Sequence, residues 1–142
     1  MTALLYRIAE GMPLHWTIDS RAKLLVAVAE GAVELAEFHR MLDVVASSSI
    51  LGYRKLFDGL LGETLMGPTE LLSVGVRLRS LHIAAGSAIG PLALVVRDEN
   101  YWQVARLLGI LAVPKRPMRV FKQADKARAW LDSPAILASV PN

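Results

Sequence analysis

GPLALVVRDENYWQVARLLGIL, residues 90–111, joins an almost wholly apolar segment to a stretch with helical spacing. LALVVRD (92–98) is typical of a strand that is buried on both faces of a sheet. Asp98 is a predicted helix N-cap, and the apolar residues after it recur at the three- and four-residue spacing of an amphipathic helix. A buried strand that leads into a helix is the repeating unit of parallel α/β sheets, so this stretch predicts that class of fold.

Further strand and helix patterns lie on both sides of this unit. The alternating LHWTID (14–19) and the apolar LLVAVAEG (24–31) predict an antiparallel hairpin, while YRKLFD (53–58) and MRVFK (118–122) predict two more strands. The predicted fold is therefore a single mixed, mostly parallel sheet of about five strands with about four helices, in the order β-β-α-β-α-β-α-β-α. The helices are predicted at about residues 34–48, 68–83, 99–112 and 124–132.

The composition indicates a folded protein without a disulfide framework. Hydrophobic residues make up 54% of the 142 residues and charged residues 20%, which excludes a disordered chain. The absence of cysteine excludes disulfides and thiolate metal sites. We expect one α/β domain at residues 13–132, with an N-terminal extension at 1–12 and a C-terminal tail at 133–142.

No segment has the pattern of a membrane span or of a signal peptide. The longest uncharged run, between Arg79 and Arg97, is shorter than the roughly 20 residues that a bilayer span needs. The first 12 residues lack the positive, apolar and small-residue order of a signal peptide. We therefore expect a cytoplasmic protein that is not transmembrane, and that contacts membranes only peripherally if at all.

Positive charge is concentrated in the second half of the chain. Residues 1–76 carry 6 basic and 9 acidic side chains, whereas residues 77–128 carry 10 basic and 3 acidic ones. Such asymmetry can mark an acidic partner or a membrane surface, although a solvated helix face gives the same pattern. Aromatic residues are sparse and are not interleaved with the basic ones, which argues against nucleic acid as a partner.

Three stretches, taken in this order, resemble the STAS-like (SpoIIAA-like) domains, which are anti-anti-sigma-factor-like folds. GYRKLFDG (52–59) is similar to the central strand with its terminal Asp, and residues 90–111 to the next strand and helix. RVFKQADKARAWL (119–131) is similar to the last strand and helix. More narrowly, the chain looks like the bacterial branch that is grouped with the lipid-transfer CRAL-TRIO domains.

This resemblance implies a small regulatory or ligand-carrying module, usually without catalysis. The best-known members bind proteins and are switched by phosphorylation of a serine that opens the helix after the central strand. The equivalent stretch here, GETLMGPTELL (62–72), has no serine, and its only hydroxyl groups belong to Thr64 and Thr69. We therefore expect the usual phosphoserine switch to be missing.

Asp58 ends the central strand, where α/β proteins often place a nucleophile or a metal ligand. A phosphoacceptor aspartate needs neighbouring carboxylates to hold Mg²⁺, but the early strand-end acids Asp19 and Glu30 belong to the hairpin. Aspartate side chains readily bond backbone N–H groups at turns. Asp58 is therefore predicted to be a structural turn residue.

Other catalytic and metal-binding patterns are missing from the sequence. His15, His39 and His82 are widely spaced and lack a metal-ligand arrangement. No Gly-x-Ser-x-Gly, Walker A or dinucleotide motif occurs. We expect a non-catalytic protein with no cofactor and no metal.

Two segments are candidates for binding. GLLGETLMG (59–67) is predicted to be a loop, yet it carries apolar side chains. The helix at 99–112 is apolar over a wide arc, as at an interface, although burial of Trp102 in the core explains the same pattern. The candidate ligand or partner loop comprises Leu60, Leu61, Leu65, Met66 and Thr69, and the candidate interface comprises Tyr101, Trp102, Arg106 and Ile110.

Two functional hypotheses follow. The first is a non-catalytic regulatory or protein-interaction module that forms a homodimer or binds another protein. The alternative is a carrier or sensor of a lipophilic or anionic amphiphilic ligand, such as a lipid, with peripheral membrane association.

Overall fold

The computed structural model describes residues 3–6, 13–47, 49–64, 68–85, 88–111 and 117–141. These residues form one six-stranded sheet and five helices. The strands are β1 (Ala3–Tyr6), β2 (Leu14–Asp19), β3 (Leu24–Val33), β4 (Arg54–Thr64), β5 (Leu92–Val95) and β6 (Met118–Phe121). The helices are α1 (Leu35–Val45), α2 (Pro68–Ala85), α3 (Asp98–Leu111), α4 (Ala124–Leu131) and α5 (Pro134–Ala138).

The strands lie in the sheet in the same order as in the chain. β2 is antiparallel to both of its neighbours, β1 and β3, whereas β3, β4, β5 and β6 are parallel. Each connection between successive parallel strands leads to the next strand on the same side. Because such connections are right-handed, α1, α2 and α3 all lie on one face of the sheet. We call these three helices the helix layer. α4 contacts β4, β5 and β6 and carries α5 beside it, and it packs on the opposite face.

Alternation along the strands divides the core into two clusters, one on each face. Phe57 of β4 packs with the helix layer, and its neighbour Leu56 packs with α4. The predicted alternation in LHWTID is confirmed, because Leu14, Trp16 and Ile18 are buried in the cluster beneath the helix layer. The α4 cluster consists of Leu24, Leu56, Ala93, Val95, Phe121, Ala127, Leu131 and Ile136.

A buried arginine joins β4 to the C-terminal helices. The guanidinium of Arg54 donates hydrogen bonds to Leu131 O at 2.9 Å and to Ala22 O at 3.0 Å. It also pairs with Asp132 Oδ1 at 2.7 Å. These partners lie in the β2–β3 turn and at the end of α4, so one side chain holds three segments together.

The central strand is longer than its sequence predicts. We expected it to end at Asp58 and expected residues 59–67 to form a loop, but β4 continues to Thr64 and pairs with an equally extended β3. Asp58 pairs with Val28 and Leu61 pairs with Glu30, so β4 contains one extra residue in this interval, which is a β-bulge. The prediction was wrong because Gly59, which suggested a strand end, belongs to the bulge; a Cβ atom there would lie 3.1 Å from Val95 O.

Both ends of the chain contribute elements beyond the predicted set. Ala3–Tyr6 of the expected extension forms β1 and pairs antiparallel with β2. In the expected tail, α5 buries Ile136 in the α4 cluster. The sheet therefore has six strands rather than five, and the described chain has five helices rather than four. The mixed α/β class is confirmed, while the domain boundaries at residues 12 and 132 stay a prediction.

Candidate functional site

The carboxyl ends of β3 and β4 extend past the rest of the sheet. β5 pairs with β4 only at residues 55–58, whereas β3 pairs with β4 as far as Thr64. Residues 30–33 and 61–64 therefore form a two-stranded projecting ribbon. The helix layer begins at this same end of the sheet, because each of its helices follows one of the parallel strands.

The order of the parallel strands limits the kind of site that this end can form. Open α/β sheets usually bind ligands where the strand order reverses and neighbouring crossovers move to opposite faces. In the described sheet, β3 to β6 follow one another without a reversal. The crevice of doubly wound folds is therefore missing from this part of the chain.

Asp58 lies where the projecting ribbon begins. Its Oδ1 atom accepts a hydrogen bond from Leu60 N–H at 3.1 Å, and Arg97 Nε donates to Leu60 O at 3.0 Å. Side chains thus satisfy both backbone polar groups of Leu60 within the bulge. This geometry supports a structural role for Asp58, in a bulge rather than a turn. Among the described residues, no group of three or more His, Asp or Glu side chains is placed to hold a metal ion.

The structure divides the candidate loop between different elements. Leu60 is half-buried and packs against the α4 cluster, whereas Leu61 is 67% exposed on the projecting ribbon. Thr69 is exposed in the first turn of α2. Leu65 and Met66 lie outside the described residues. The described members of this set therefore do not form one surface.

The candidate interface on α3 is exposed at its start. Trp102 is 78% exposed, so the alternative that it packs in the monomer core is wrong. Tyr101 is half-buried, and its ring meets that of Trp102 edge-on, with 5.7 Å between centroids. Arg106 is exposed one turn further along. Ile110 belongs to the same helix, but its side chain is not among those that the structure describes.

An ion pair holds the start of α3 against β6. Lys122 Nζ lies 2.7 Å from Asp98 Oδ1 and 4.9 Å from the centre of the Tyr101 ring. The hydrogen bond to Asp98, together with the charge of that carboxylate, raises the pKa of Lys122 above its ordinary value. Lys122 is therefore a cation across the physiological pH range, and it contacts the first turn of α3 beside Trp102.

α2 carries an apolar surface that was not predicted from the sequence. Leu72, Val76 and Ile83 are 51%, 51% and 63% exposed, respectively, and Arg79 is exposed between them. Val74, Leu78 and Leu81 are half-buried on the other side of the helix. We call Leu72, Val76, Arg79 and Ile83 the outer stripe. Its spacing of four, three and four residues can be seen in the sequence. Other apolar residues of α2 have a similar helical spacing, so periodicity alone does not show which set is exposed.

The outer surface of the helix layer carries free positive charge. Arg40 of α1, Arg79 of α2 and Arg106 of α3 are all exposed, and none has an ion-pair partner among the described residues. Most of the acidic side chains nearby already form ion pairs with other basic residues. These pairs are Asp43 with Arg77, Asp98 with Lys122, and Glu99 with Arg97.

Arg77 joins the first two helices of the layer beneath this surface. Its guanidinium donates to His39 O at 2.8 Å, lies 3.0 Å from His39 Nδ1 and pairs with Asp43. α2 is thereby fixed against α1, and the outer stripe has a defined orientation. None of the helices in the described part of the chain combines the length and the apolar character needed to cross a membrane.

The element order, the mixed, mostly parallel sheet with one helix layer, and the packing of α4 on the other face define a STAS-like (SpoIIAA-like) α/β fold. A solved structure with this fold is similar to the chain: an uncharacterised protein of the DUF3478 family, with a SpoIIAA-like fold, from Shewanella loihica PV-4. The TM-score is 0.50, the identity is 15%, and the similarity covers 92% of each chain. At this identity the similarity shows the fold alone. No protein-family model and no curated protein matches the chain.

Proposed function

We propose that this protein is a non-catalytic regulatory or protein-interaction module that acts in the cytoplasm. The observation that carries the proposal is the set of large apolar side chains left uncovered on the helix layer, namely Leu72, Val76, Ile83 and Trp102. Larger exposed apolar patches with polar surroundings are typical of interaction sites. Tryptophan and arginine are also the residue types that most often dominate binding energy at interfaces.

The energetic reason is the removal of apolar surface from water. Full burial of a Val, Leu or Ile side chain is worth roughly 1.5–3 kcal/mol. The three apolar residues of the outer stripe and Trp102 are each about half exposed or more, so a partner that covered them would gain a large part of this energy. The interaction would not depend on a phosphoserine at the start of α2, because residues 62–72 contain no serine.

Site-specific photo-crosslinking in cells that express the protein tests this function. A benzophenone side chain at position 102 should give one or a few discrete protein adducts. The matched control is position 137, because Leu137 is 47% exposed on α5, away from the helix layer. Adducts that form equally from both positions, or from neither, would contradict the interaction role. An adduct of twice the chain mass would indicate the predicted homodimer.

A second candidate is a carrier or sensor of a lipophilic or anionic amphiphilic ligand that associates with membranes peripherally. The observation in its favour is Leu61 on the projecting ribbon, whose exposed side chain is available to a lipophilic ligand or to the surface of a bilayer. The strands that the structure describes follow one another without a reversal of order, which disfavours a deep crevice between them. Native mass spectrometry of gently purified protein would favour this candidate if a lipophilic adduct were retained and were lost in Leu61→Glu.

A further inference from the structure

We propose that the outer surface of α2 and α3 is a docking site for an acidic amphipathic helix of a partner protein. This inference rests on the proposed interaction role and names the class of partner. The features that point to such a partner are the spacing of the exposed apolar side chains, the exposed Trp102 and the arginines around them that have no ion pair among the described residues.

The outer stripe has the spacing of a helix-packing seam. Leu72, Val76, Arg79 and Ile83 follow one another at intervals of four, three and four residues, as the a and d positions of a coiled coil do. Over this interval α2 rises about 16 Å at 1.5 Å per residue. The three apolar members therefore form a narrow straight ridge, and exposed Ser73 and Ser80 lie beside it. A second helix can pack against a ridge of this shape and length.

Trp102 is exposed on the helix next to this ridge, at the level where the ridge begins. It is the fifth residue of α3, just as Leu72 is the fifth residue of α2, and both helices begin at the same end of the sheet. α2 and α3 contact each other, and packed helices lie about 8–10 Å apart. Leu72 and Trp102 therefore lie at the same level along two neighbouring helices of the layer, and Arg106 follows Trp102 one turn further along α3.

The free charges on this surface favour an acidic partner. Arg79 lies within the stripe, Arg106 lies on α3 and Arg40 on α1, and the described residues supply none of them with an ion pair. Glu70 is the exposed acid on α2, and it lies in the first turn, where the positive helix end already favours it. A helix with carboxylates flanking an apolar seam would complement both the ridge and the arginines.

The same charges disfavour a second copy of this chain as the occupant. Arg79 is near the middle of the stripe, so a two-fold pairing along α2 would bring the two Arg79 guanidinium groups together. Like charges in such an interface are unfavourable. A bilayer is also a poorer fit, since an interfacial helix buries a broad apolar face, and this ridge is narrow and interrupted by Arg79.

Binding of two helix-stabilised, fluorescently labelled peptides to the full chain tests the proposal. Both are about 18 residues long, like α2, and share one apolar seam; the flanking positions carry Glu in the first peptide and Lys in the second. We expect the acidic peptide to bind at least about tenfold more tightly, and added salt to weaken its binding. Arg79→Glu or Arg106→Glu should each weaken the acidic peptide by about tenfold. The matched control Arg21→Glu, in the exposed β2–β3 turn, should leave binding unchanged.

Several outcomes would overturn this assignment. Equal binding of both peptides, or an equal effect of Arg21→Glu and Arg79→Glu, would show that the arginines do not select the partner. Arg79-dependent sedimentation with phosphatidylglycerol vesicles, without peptide binding, would identify a membrane surface instead. If neither peptide binds but position 102 still forms protein crosslinks, the interaction role stands and the acidic-helix partner is wrong. If the crosslinks are absent as well, both proposals fail.

Discussion

Asp58 is the last residue of β4 that pairs with β5, and its carboxylate accepts a hydrogen bond from the N–H of Leu60. The bulge at this point disturbs the regular ladder between β3 and β4, so the N–H of Leu60 relies on a side chain for its partner. The end of a central strand is a common place for a nucleophile. In this protein the same position instead has a carboxylate bonded to the backbone of its own strand, and Arg97 bonds the other polar group of Leu60.

Replacing Asp58 should therefore change stability in a way that depends on the acceptor atom. We expect Asp58→Ala to lower the free energy of unfolding by about 1 kcal/mol, because the half-buried Leu60 N–H loses its partner. Asp58→Asn keeps an Oδ1 acceptor and should lose less than half as much. Urea denaturation of both variants measures the difference. Equal losses would show that the hydrogen bond does not contribute.

At the scale of single elements, α2 shows why periodicity is an incomplete guide. The helix has apolar side chains on two sides, with Val74, Leu78 and Leu81 half-buried and Leu72 and Val76 exposed. Helical spacing identifies which residues share a face. It does not identify which of two apolar faces meets the sheet, because that depends on how the helix is positioned by its neighbours.

The short helix α5 gives a direct test of burial within one element. Ile136 is 7% exposed and packs in the α4 cluster, whereas the adjacent Leu137 is 47% exposed. We expect Ile136→Ala to lower the free energy of unfolding by about 2–4 kcal/mol, because it removes buried methyl groups and leaves a cavity. Leu137→Ala should cost less than about 1 kcal/mol.

Chemical denaturation of the two alanine variants compares them under the same conditions. A small loss in Ile136→Ala would mean that α5 is only loosely attached, as the sequence suggested for residues 133–142. A large loss in Leu137→Ala would instead mean that this side chain is covered in solution.

At the scale of the whole molecule, the sequential strand order determines where the proposed docking surface can form. Three successive crossovers in one direction place α1, α2 and α3 side by side on one face. A reversal of the strand order would have separated α2 from α3 onto opposite faces. The outer stripe and Trp102 can therefore share one surface only because of this topology.

The N-terminal strand allows the predicted domain boundary at residue 12 to be tested. β1 pairs with the edge of β2, and the core residues of β2 pack beneath the helix layer. We expect a chain without residues 1–12 to unfold cooperatively, with a midpoint a few degrees lower, and to self-associate more through the uncovered edge of β2. Calorimetry and size-exclusion chromatography measure both effects.

A chain without residues 133–142 provides the comparison, and it should lose more stability because Ile136 is buried. If the chain that lacks residues 1–12 shows no cooperative transition, β1 belongs to the folding unit and the boundary at residue 12 is wrong.

The sequence alone determined the class of fold. The apolar run at residues 92–98, the alternation in LHWTID and the helical spacing between strands are local patterns, and the backbone periodicities of two and about 3.6 residues make them readable. The similarity of three stretches to STAS-like domains predicted the same fold, and the helix layer and sheet confirm it. These local patterns did not predict which of the candidate residues are exposed.

Only the tertiary structure decided where strands continue and which surfaces stay open. β4 passes through Gly59 because β3 runs beside it, and β1 is a strand because β2 offers an edge. Trp102 and the outer stripe are exposed because the sheet and the neighbouring helices cover other faces of α2 and α3. The physical reason is that hydrogen-bond pairing between strands and burial between layers are contacts between distant parts of the chain. Local periodicity indicates which residues could make such contacts, but it does not specify which of them are covered.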